Sequence, residues 1–462
     1  MGAGVVSEYE FVGGYPTPET VRAAYDAVDL NRAIQCYRLF FPTVSGLAIM
    51  RGNAVLGLEL NERFGTLATK PMHVGLTLNS DTPYAPLLLD LTDGPFVIEM
   101  PAGPLICIAM DLNQRWVLDM GLPGPDAGAG GKHLLLPPGF DGEIPGGFHV
   151  GRSSTNKVIV GIRSLPLGGD VPAATARLST VAVHPLTPGA DWVEPEFIDL
   201  DSLPQDTTPN AVEGSFAFWE ALNEIVQTEP PLERFAVAYG ELGALGIEKG
   251  SLFAPDERMR RILEAAAVEA DAQLRVESLA DRRPDRVVWP GIQWEWAALR
   301  FENGDFEGPQ ALDSEARDKW FFQAIGASPA MFRRDTKAGS LYWLGSRDST
   351  GAYLNGSNNY TLTVPLPVPG KLFWSVTVYD ARTRSQIQTD QGNALISSLF
   401  DLDNLGNEDS ITLHFGPNPP RDAEQKWIKT IPDAGWFTYF RIYGPEQPAF
   451  DTTWSLPDIT QA

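Results

Sequence analysis

Cysteine is nearly missing: Cys36 and Cys107 are the whole inventory of a 462-residue chain. Cys36 falls in a helical pattern and Cys107 in an apolar, strand-like run, so both read as buried thiols rather than as a disulfide. Histidine is almost as scarce. The five (His73, His133, His149, His184, His414) contain no i, i+4 pair and no cysteine partner, so no zinc signature exists and no metal is expected. His133 and His149 could still approach each other across neighbouring strands. No Gly-x-Ser-x-Gly elbow occurs, which argues against a serine-triad α/β hydrolase. The dinucleotide fingerprint is absent. The Gly-rich run from Gly121 to Lys132 fails the phosphate-loop spacing and has no Ser or Thr after Lys132. No cofactor is therefore expected. Basic residues are few, 35 against 59 acidic, and the net charge of −24 disfavours nucleic acid and anionic membranes as partners. No apolar run reaches the ~18–20 residues of a spanning helix, and no basic start leads into an apolar run. The expectation is a cytoplasmic protein without membrane insertion, exported only if its N-terminus was processed.

What is present is turn-rich. Gly (44) and Pro (38) punctuate short apolar runs, and the length calls for two or three domains. After a Gly-rich arm, residues 1–17, Thr17 or Thr20 can cap a helix that Pro42 should end or kink. Strands are expected at Tyr84–Leu91, Phe96–Met100, Leu105–Met110, His133–Leu136, Phe148–Val150, Val158–Ile162 and Phe197–Leu200. Helical spacing takes over at Asn210–Thr228, Pro255–Leu279 and Arg317–Ile325. Strands return at Tyr360–Val364, Phe373–Tyr379, Ile411–Phe415, Trp427–Thr430 and Trp436–Tyr443. The reading is mainly β with a helical middle region: two β-sandwich, jelly-roll-like domains at 18–204 (with its leading helix) and 336–462, joined by a helical segment at 205–335.

The two β regions echo each other. In the first, a strand ends in Asp111, Arg115 lies four residues on, and Asp119 precedes Gly121. In the second, a strand ends in Asp380, Arg384 lies four residues on, and Asp390 precedes Gly392. If this is a repeat, the two Asp-x-x-x-Arg corners could face each other across an interdomain cleft.

The same positions carry a resemblance. Asn79-Ser80-Asp81-Thr82-Pro83-Tyr84, Asp90-Leu91, Gly94-Pro95, Asp111, Arg115, Asp119, Gly124-Pro125-Asp126, Gly130-Gly131-Lys132 and Pro137-Pro138-Gly139 stand in the front half. Leu245-Gly246-Ile247-Glu248-Lys249-Gly250 and Pro255-Asp256 stand in the middle. Asp348, Tyr360, Phe373-Trp374-Ser375, Tyr379-Asp380, Thr383-Arg384-Ser385, Phe415-Gly416-Pro417, Trp427 and Tyr443-Gly444-Pro445 stand in the back. From about residue 15 to 460 the chain resembles the two-part bacterial family of unknown function numbered 1254 in front and 1214 behind. The resemblance implies sandwich domains joined through helices. It implies export for many members and no settled chemistry.

Candidate residues are weighed against plainer roles. Asp81 could be a general base with Tyr84 as donor, or simply an Asx-turn cap. Asp111, Arg115 and Asp119 could hold a substrate oxygen, or form a structural ion-pair network. Asp380, Arg382 and Arg384 form the most chemical-looking group: one Arg could neutralise Asp380 while another binds an anionic or carbonyl oxygen. Trp374 and Tyr379 would shape the pocket, though Trp374, Trp427 and Trp436 also suit sandwich core. Asp401-Leu-Asp403-Asn404 lacks the ligands of a calcium loop. The leading expectation is a cofactor-independent enzyme of hydrolase or lyase type. Asp81 or Asp380 would move a proton, while Arg384 and Arg115 hold oxygen on a small organic substrate. The alternative is a non-catalytic carbohydrate- or small-ligand-binding protein. A homo-oligomeric scaffold, marked by large apolar surface patches, is the third.

Overall fold

The computed structural model describes residues 9–68, 70, 75–203, 212–299, 306–402, 408–421, 426–451 and 453–462. A small hairpin, β1 (Phe11–Val12) and β2 (Tyr15–Pro16), leads into a long helix, α1 (Pro18–Val55). Thr17 caps α1 by accepting from the Thr20 amide at 3.3 Å, and Pro18 sits in the first turn, where a missing N–H costs nothing. The helix does not end at Pro42. Residues 40–47 are buried on every side, so packing outweighs the roughly 3 kcal/mol cost of an interior proline. The Pro42 carbonyl accepts from Gln114 Nε2 at 2.8 Å. α1 is also the one helix among the described residues long and apolar enough to cross a membrane, yet 78% of its most apolar stretch is buried inside the protein, as a core helix is.

After β3 (Arg63–Thr66), the front module is built from β4 (Tyr84–Asp90), β5 (Phe96–Met100), β6 (Leu105–Asp111), β7 (Trp116–Gly121), β8 (Gly131–Leu136), β9 (His149–Arg152) and β10 (Lys157–Ser164). Helix α2 (Val171–Leu178) and β11 (Ala182–Pro185) complete it, and β12 (Glu196–Asp199) returns to pair with β3. Two four-stranded sheets, ordered β4-β10-β6-β7 and β11-β5-β8-β9, share a core of Leu87, Ile98, Cys107, Leu135 and Val160. β7 forms where no strand was expected; its apolar Val117, Leu118 and Met120 are buried.

The middle region supplies α3 (Ala217–Thr228), α4 (Ala236–Ala244), α5 (Glu257–Leu279), the short β13 (Glu295–Trp296), α6 (Ser314–Gln323) and α7 (Pro329–Phe332). α1 packs against α3, α4, α5 and α6. Their shared core includes Tyr37, Phe40, Trp219, Leu263, Ala266 and Ala270. The helical layer is thus assembled from both ends of the front half.

The back module comprises β14 (Ser340–Gly345), β15 (Tyr360–Pro365), β16 (Trp374–Asp380), β17 (Leu395–Ser397), β18 (Ser410–Gly416), β19 (Trp427–Lys429), β20 (Trp436–Tyr443) and β21 (Thr460–Gln461). Sheets ordered β13-β14-β20-β16-β17 and β19-β18-β15-β21 enclose Trp343, Leu362, Val376, Leu413 and Phe440. The expectation of a mainly β chain is corrected to a mixed one: helix and strand each take 28%, and among the described residues no sheet closes into a barrel. Helix not expected from the sequence includes α1 beyond Pro42, α2, α4 and α7.

Gly46 of α1 lies so close to the loop after β6 that an added Cβ would stand 2.7 Å from the Leu112 carbonyl oxygen. Alanine would gain up to about 1 kcal/mol of helix propensity, but overpacking against backbone outweighs it. Gly46→Ala should lower stability by about 1–3 kcal/mol, seen as an earlier denaturant midpoint with an unchanged slope. A stabilised variant would mean that α1 can shift away from the loop.

Candidate functional site at the joint of the β modules

Alternation on β16 and β20 sorts their side chains. Trp374, Val376, Val378, Phe440 and Ile442 enter the core between the back sheets. Ser375, Thr377, Tyr379, Tyr439, Arg441 and Tyr443 take the other face, and all six are buried. Register sets them in rows, with Ser375 and Tyr342 flanking Arg441, and Ser340 beside Tyr443. A sheet face of Ser, Thr, Tyr and Arg would normally be solvated. Here residues 75–84 of the front half lie across it.

That segment is tied down at several points. The Thr77 carbonyl accepts from Arg441 Nη2 at 2.8 Å, and the Leu78 carbonyl accepts from the Tyr379 hydroxyl at 2.8 Å. The Thr77 amide donates to the Arg384 carbonyl at 2.8 Å, and Ser80 Oγ donates to Gln386 Oε1 at 2.7 Å. Thr77 has φ of 46°, a left-handed conformation that a β-branched residue adopts only where its surroundings dictate it. Asn79 Oδ1 accepts from the Asp81 amide at 3.1 Å, so the Asx turn belongs to Asn79 and leaves the Asp81 carboxylate free to point elsewhere.

Asp81 is the centre. It is fully buried, and its Oδ2 accepts from Ser375 Oγ at 2.8 Å and from the Tyr443 hydroxyl at 2.9 Å. Among the described residues its Oδ1 has no hydrogen-bond partner, and neither does Arg441 Nε. Tyr443 also accepts from Arg163 Nη2 at 3.0 Å and Asn79 Nδ2 at 3.1 Å. Arg163 Nε donates to Thr82 Oγ1 at 3.0 Å, and its guanidinium lies over the Tyr84 and Tyr443 rings at 5.2 and 5.3 Å. Burial pushes the Asp81 carboxyl pKa up, while Arg441, the Ser375 hydroxyl, Arg163 and the Tyr443 hydroxyl pull it back. One carboxylate and two guanidiniums leave an excess positive charge. The cluster meets the surface at Tyr84, Arg163 and Tyr342, which are half-buried.

The remaining expected residues lie elsewhere. The two Asp corners do exist, and each carboxylate is taken up within its own part of the chain. Asp111 Oδ1 accepts from the Arg115 amide at 2.9 Å and its Oδ2 accepts from Ser154. Asp380 Oδ1 accepts from the Arg382 and Thr383 amides at 2.7 and 3.2 Å. Both carboxylates serve as turn caps. The structural counterpart of Arg384 is Gln114, not Arg115: each follows its Asp in the left-handed region, with φ of 59° and 56°. Each side chain plugs into the helical layer. Gln114 bonds to Pro42 and Gly326. Arg384 donates to the Phe322 carbonyl at 2.9 Å and the Arg382 carbonyl at 2.7 Å, and pairs with Glu213. Arg382 is an exposed partner of Asp380 at 3.3 Å. Trp374 stacks on Phe440 in the core, away from Asp81. Asp119 is buried near Ser328, Ala330 and Trp116, whereas Asp390, its sequence counterpart, is exposed and paired with Lys429. His133 and His149 are register partners with rings 5.1 Å apart. Residues 403–407 of the calcium-like stretch lie outside the described residues. Asp81, Tyr84 and Tyr379 are therefore brought to one place, with Arg163, Arg441, Ser375, Tyr439 and Tyr443 as unforeseen company. A lone Arg in each of two eight-residue apolar strands, Lys157–Ser164 and Trp436–Tyr443, was the signal that could have found them.

Two family profiles cover these modules: Protein of unknown function (DUF1254) matches residues 62–185, and Protein of unknown function (DUF1214) matches 339–447. The chain belongs to the class of proteins that join these two domains, with the Asp81 cluster at their joint. It is similar to the crystal structure of the VPA0106 protein from Vibrio parahaemolyticus, at 16% identity, over 94% of this chain and 100% of that one, with a TM-score of 0.59; this likeness speaks for the fold alone. It is also matched to a putative uncharacterized protein from Burkholderia cenocepacia, at 13% identity, over 96% of this chain and 89% of that one, with a TM-score of 0.38. No curated protein matches by sequence.

Two outcomes follow from these placements. Arg384→Ala should cost about 3–5 kcal/mol in unfolding free energy, because Glu213 is left buried without its partner; a loss under about 1 kcal/mol would show the pair to be solvated. Burial pushes the Asp119 carboxyl up to about 7. A raised acid favours folding below its unfolded pKa and loses that contribution as pH rises through about 7. Asp119→Asn should therefore gain on the wild type between pH 5 and pH 8 in parallel melts, by a few kcal/mol at most. A constant difference across that range would contradict the assignment.

Proposed function

We propose that the Asp81 cluster is the working site, and that it binds a small organic molecule bearing a carbonyl, carboxylate or hydroxyl group. The observation that carries this reading is a fully buried carboxylate with one oxygen unpartnered, set between two guanidiniums. A structural carboxylate in such a place would have both oxygens satisfied. Asp81 Oδ1 is the group that would take or return a proton, its pKa raised by burial. Arg163 and Arg441 would hold the developing negative oxygen, and Tyr84 and Tyr342 would flank the entry, with Arg163 swinging aside. The chemistry would be cofactor-independent, of hydrolase or lyase type. In this reading each pair of sheets acts as a β-sandwich scaffold, the front domain at 18–204, the helical region at 205–335 and the back domain at 336–462. The two buried, unpaired thiols fit a cytoplasmic setting.

The test is a thermal-shift screen of the full chain against small carboxylic, keto and hydroxy acids in millimolar excess. At least one should raise the melting temperature, and the rise should vanish in Asp81→Asn, whose side chain still accepts from Ser375 and Tyr443. NMR of the incubated hit then separates turnover from binding. A panel without effect, or an equal shift in both proteins, would remove Asp81 from the role.

A further inference from the structure

A second charged cluster lies apart from Asp81. Arg115 in the turn after β6, Arg234 in the turn before α4 and Arg317 on α6 line one cavity, together with Glu307, Phe235 and Phe321. Its volume is about 20 Å3, room for roughly one water-sized species. Three guanidiniums and one carboxylate leave two positive charges in excess. Glu307 pairs with Arg234 and stands 3.8 Å from Arg115. Arg317 is only 5% exposed, and among the described residues its guanidinium has ring faces for company, Phe235 at 5.9 Å and Phe321 at 5.7 Å. The neighbouring Asp318 is taken by Arg38 at 2.7 Å. Burial holds the Arg317 pKa down to about 10, Asp318 pulls it partly back, and Arg234 pushes it down again. Arg115 Nε is a further buried N–H without an acceptor among the described residues. A buried guanidinium whose nearest carboxylate is already engaged by another arginine is left only partly compensated. A water molecule would fill the space but not the charge.

We infer that this cavity binds a monovalent anion of about water's size, of the halide class, bridging Arg115 of the front module and Arg317 of the helical layer. The anion would pin the turn after β6 to α6, with Phe235 and Phe321 excluding solvent around it. Larger oxyanions such as phosphate exceed the space.

The test compares melting of the full chain in sodium chloride and sodium gluconate at fixed ionic strength, beside a crystal soaked in sodium bromide. Chloride should raise the melting temperature in a saturating manner, phosphate should not reproduce it, and anomalous bromide density should stand between Arg115 and Arg317. Arg317→Met should abolish the saturating response. Arg115→Gln, at a half-exposed position that leaves the fold undisturbed, should weaken it at least tenfold. Coincident or non-saturating salt curves, an Arg115→Gln response equal to the wild type, or bromide bound only elsewhere would overturn the assignment.

Discussion

The Asp81 carboxylate, held by Ser375 and Tyr443 across the joint of the two β modules, is the contact around which the rest is arranged. Burying a carboxylate is costly, and the cost is offset here by hydroxyl donors and by two guanidiniums whose own desolvation it relieves. No element supplies this set alone. Asp81 and Thr77 come from the segment before β4, Arg163 from the end of β10, and Ser375, Arg441 and Tyr443 from two neighbouring strands of the back sheet. Because that sheet carries apolar residues on one face and Tyr, Arg, Ser and Thr on the other, it can be buried on both sides only if the covering segment brings matching polar groups. The backbone carbonyls of Thr77 and Leu78 do so, at the cost of a left-handed threonine.

The helical layer is the frame that holds the modules in this relation. α1 runs through it and collects α3, α4, α5 and α6 around one core. Each β module then sends one corner into the layer. Gln114 grips α1 and the loop after α6, and Arg384 grips the end of α6 and Glu213. A buried lysine, Lys319, adds to this by pairing with Glu295 at 2.7 Å and Asp281 at 3.2 Å. The corners that looked like chemistry are anchors. The Asp81 carboxylate sits in the segment before β4, buried, with the Asx turn there made by Asn79 instead.

Much of the fold was legible in residue patterns. Trp436–Tyr443 and Phe96–Met100 were bounded to the residue, because Gly, Pro and charge close each apolar run. α5 was legible because Ala and Leu recur on one face of a long charged helix. α1 beyond Pro42 was not, since local propensity counts proline as a stop while the surrounding side chains reward continuation. Asp81 and Tyr84 were named as a pair, and the fold brings both beside Arg163. Arg382 does pair with Asp380, whereas Arg384, expected on the same side, sends its side chain elsewhere. A left-handed φ at Arg384 turns its guanidinium from Asp380 toward Phe322 and Glu213.

Sequence alone determined the elements of this protein: period-2 apolar runs, helical faces, turn punctuation and an acidic surface. These depend on neighbours along the chain. Which carboxylate is buried beside which guanidinium was decided only by tertiary structure. Ser375, Arg441, Arg163 and Asp81 are far apart in sequence, and their meeting depends on strand register and on how the front segment crosses the back sheet. Electrostatic cost and compensation act over a few ångströms of space, and position along the chain does not encode that distance.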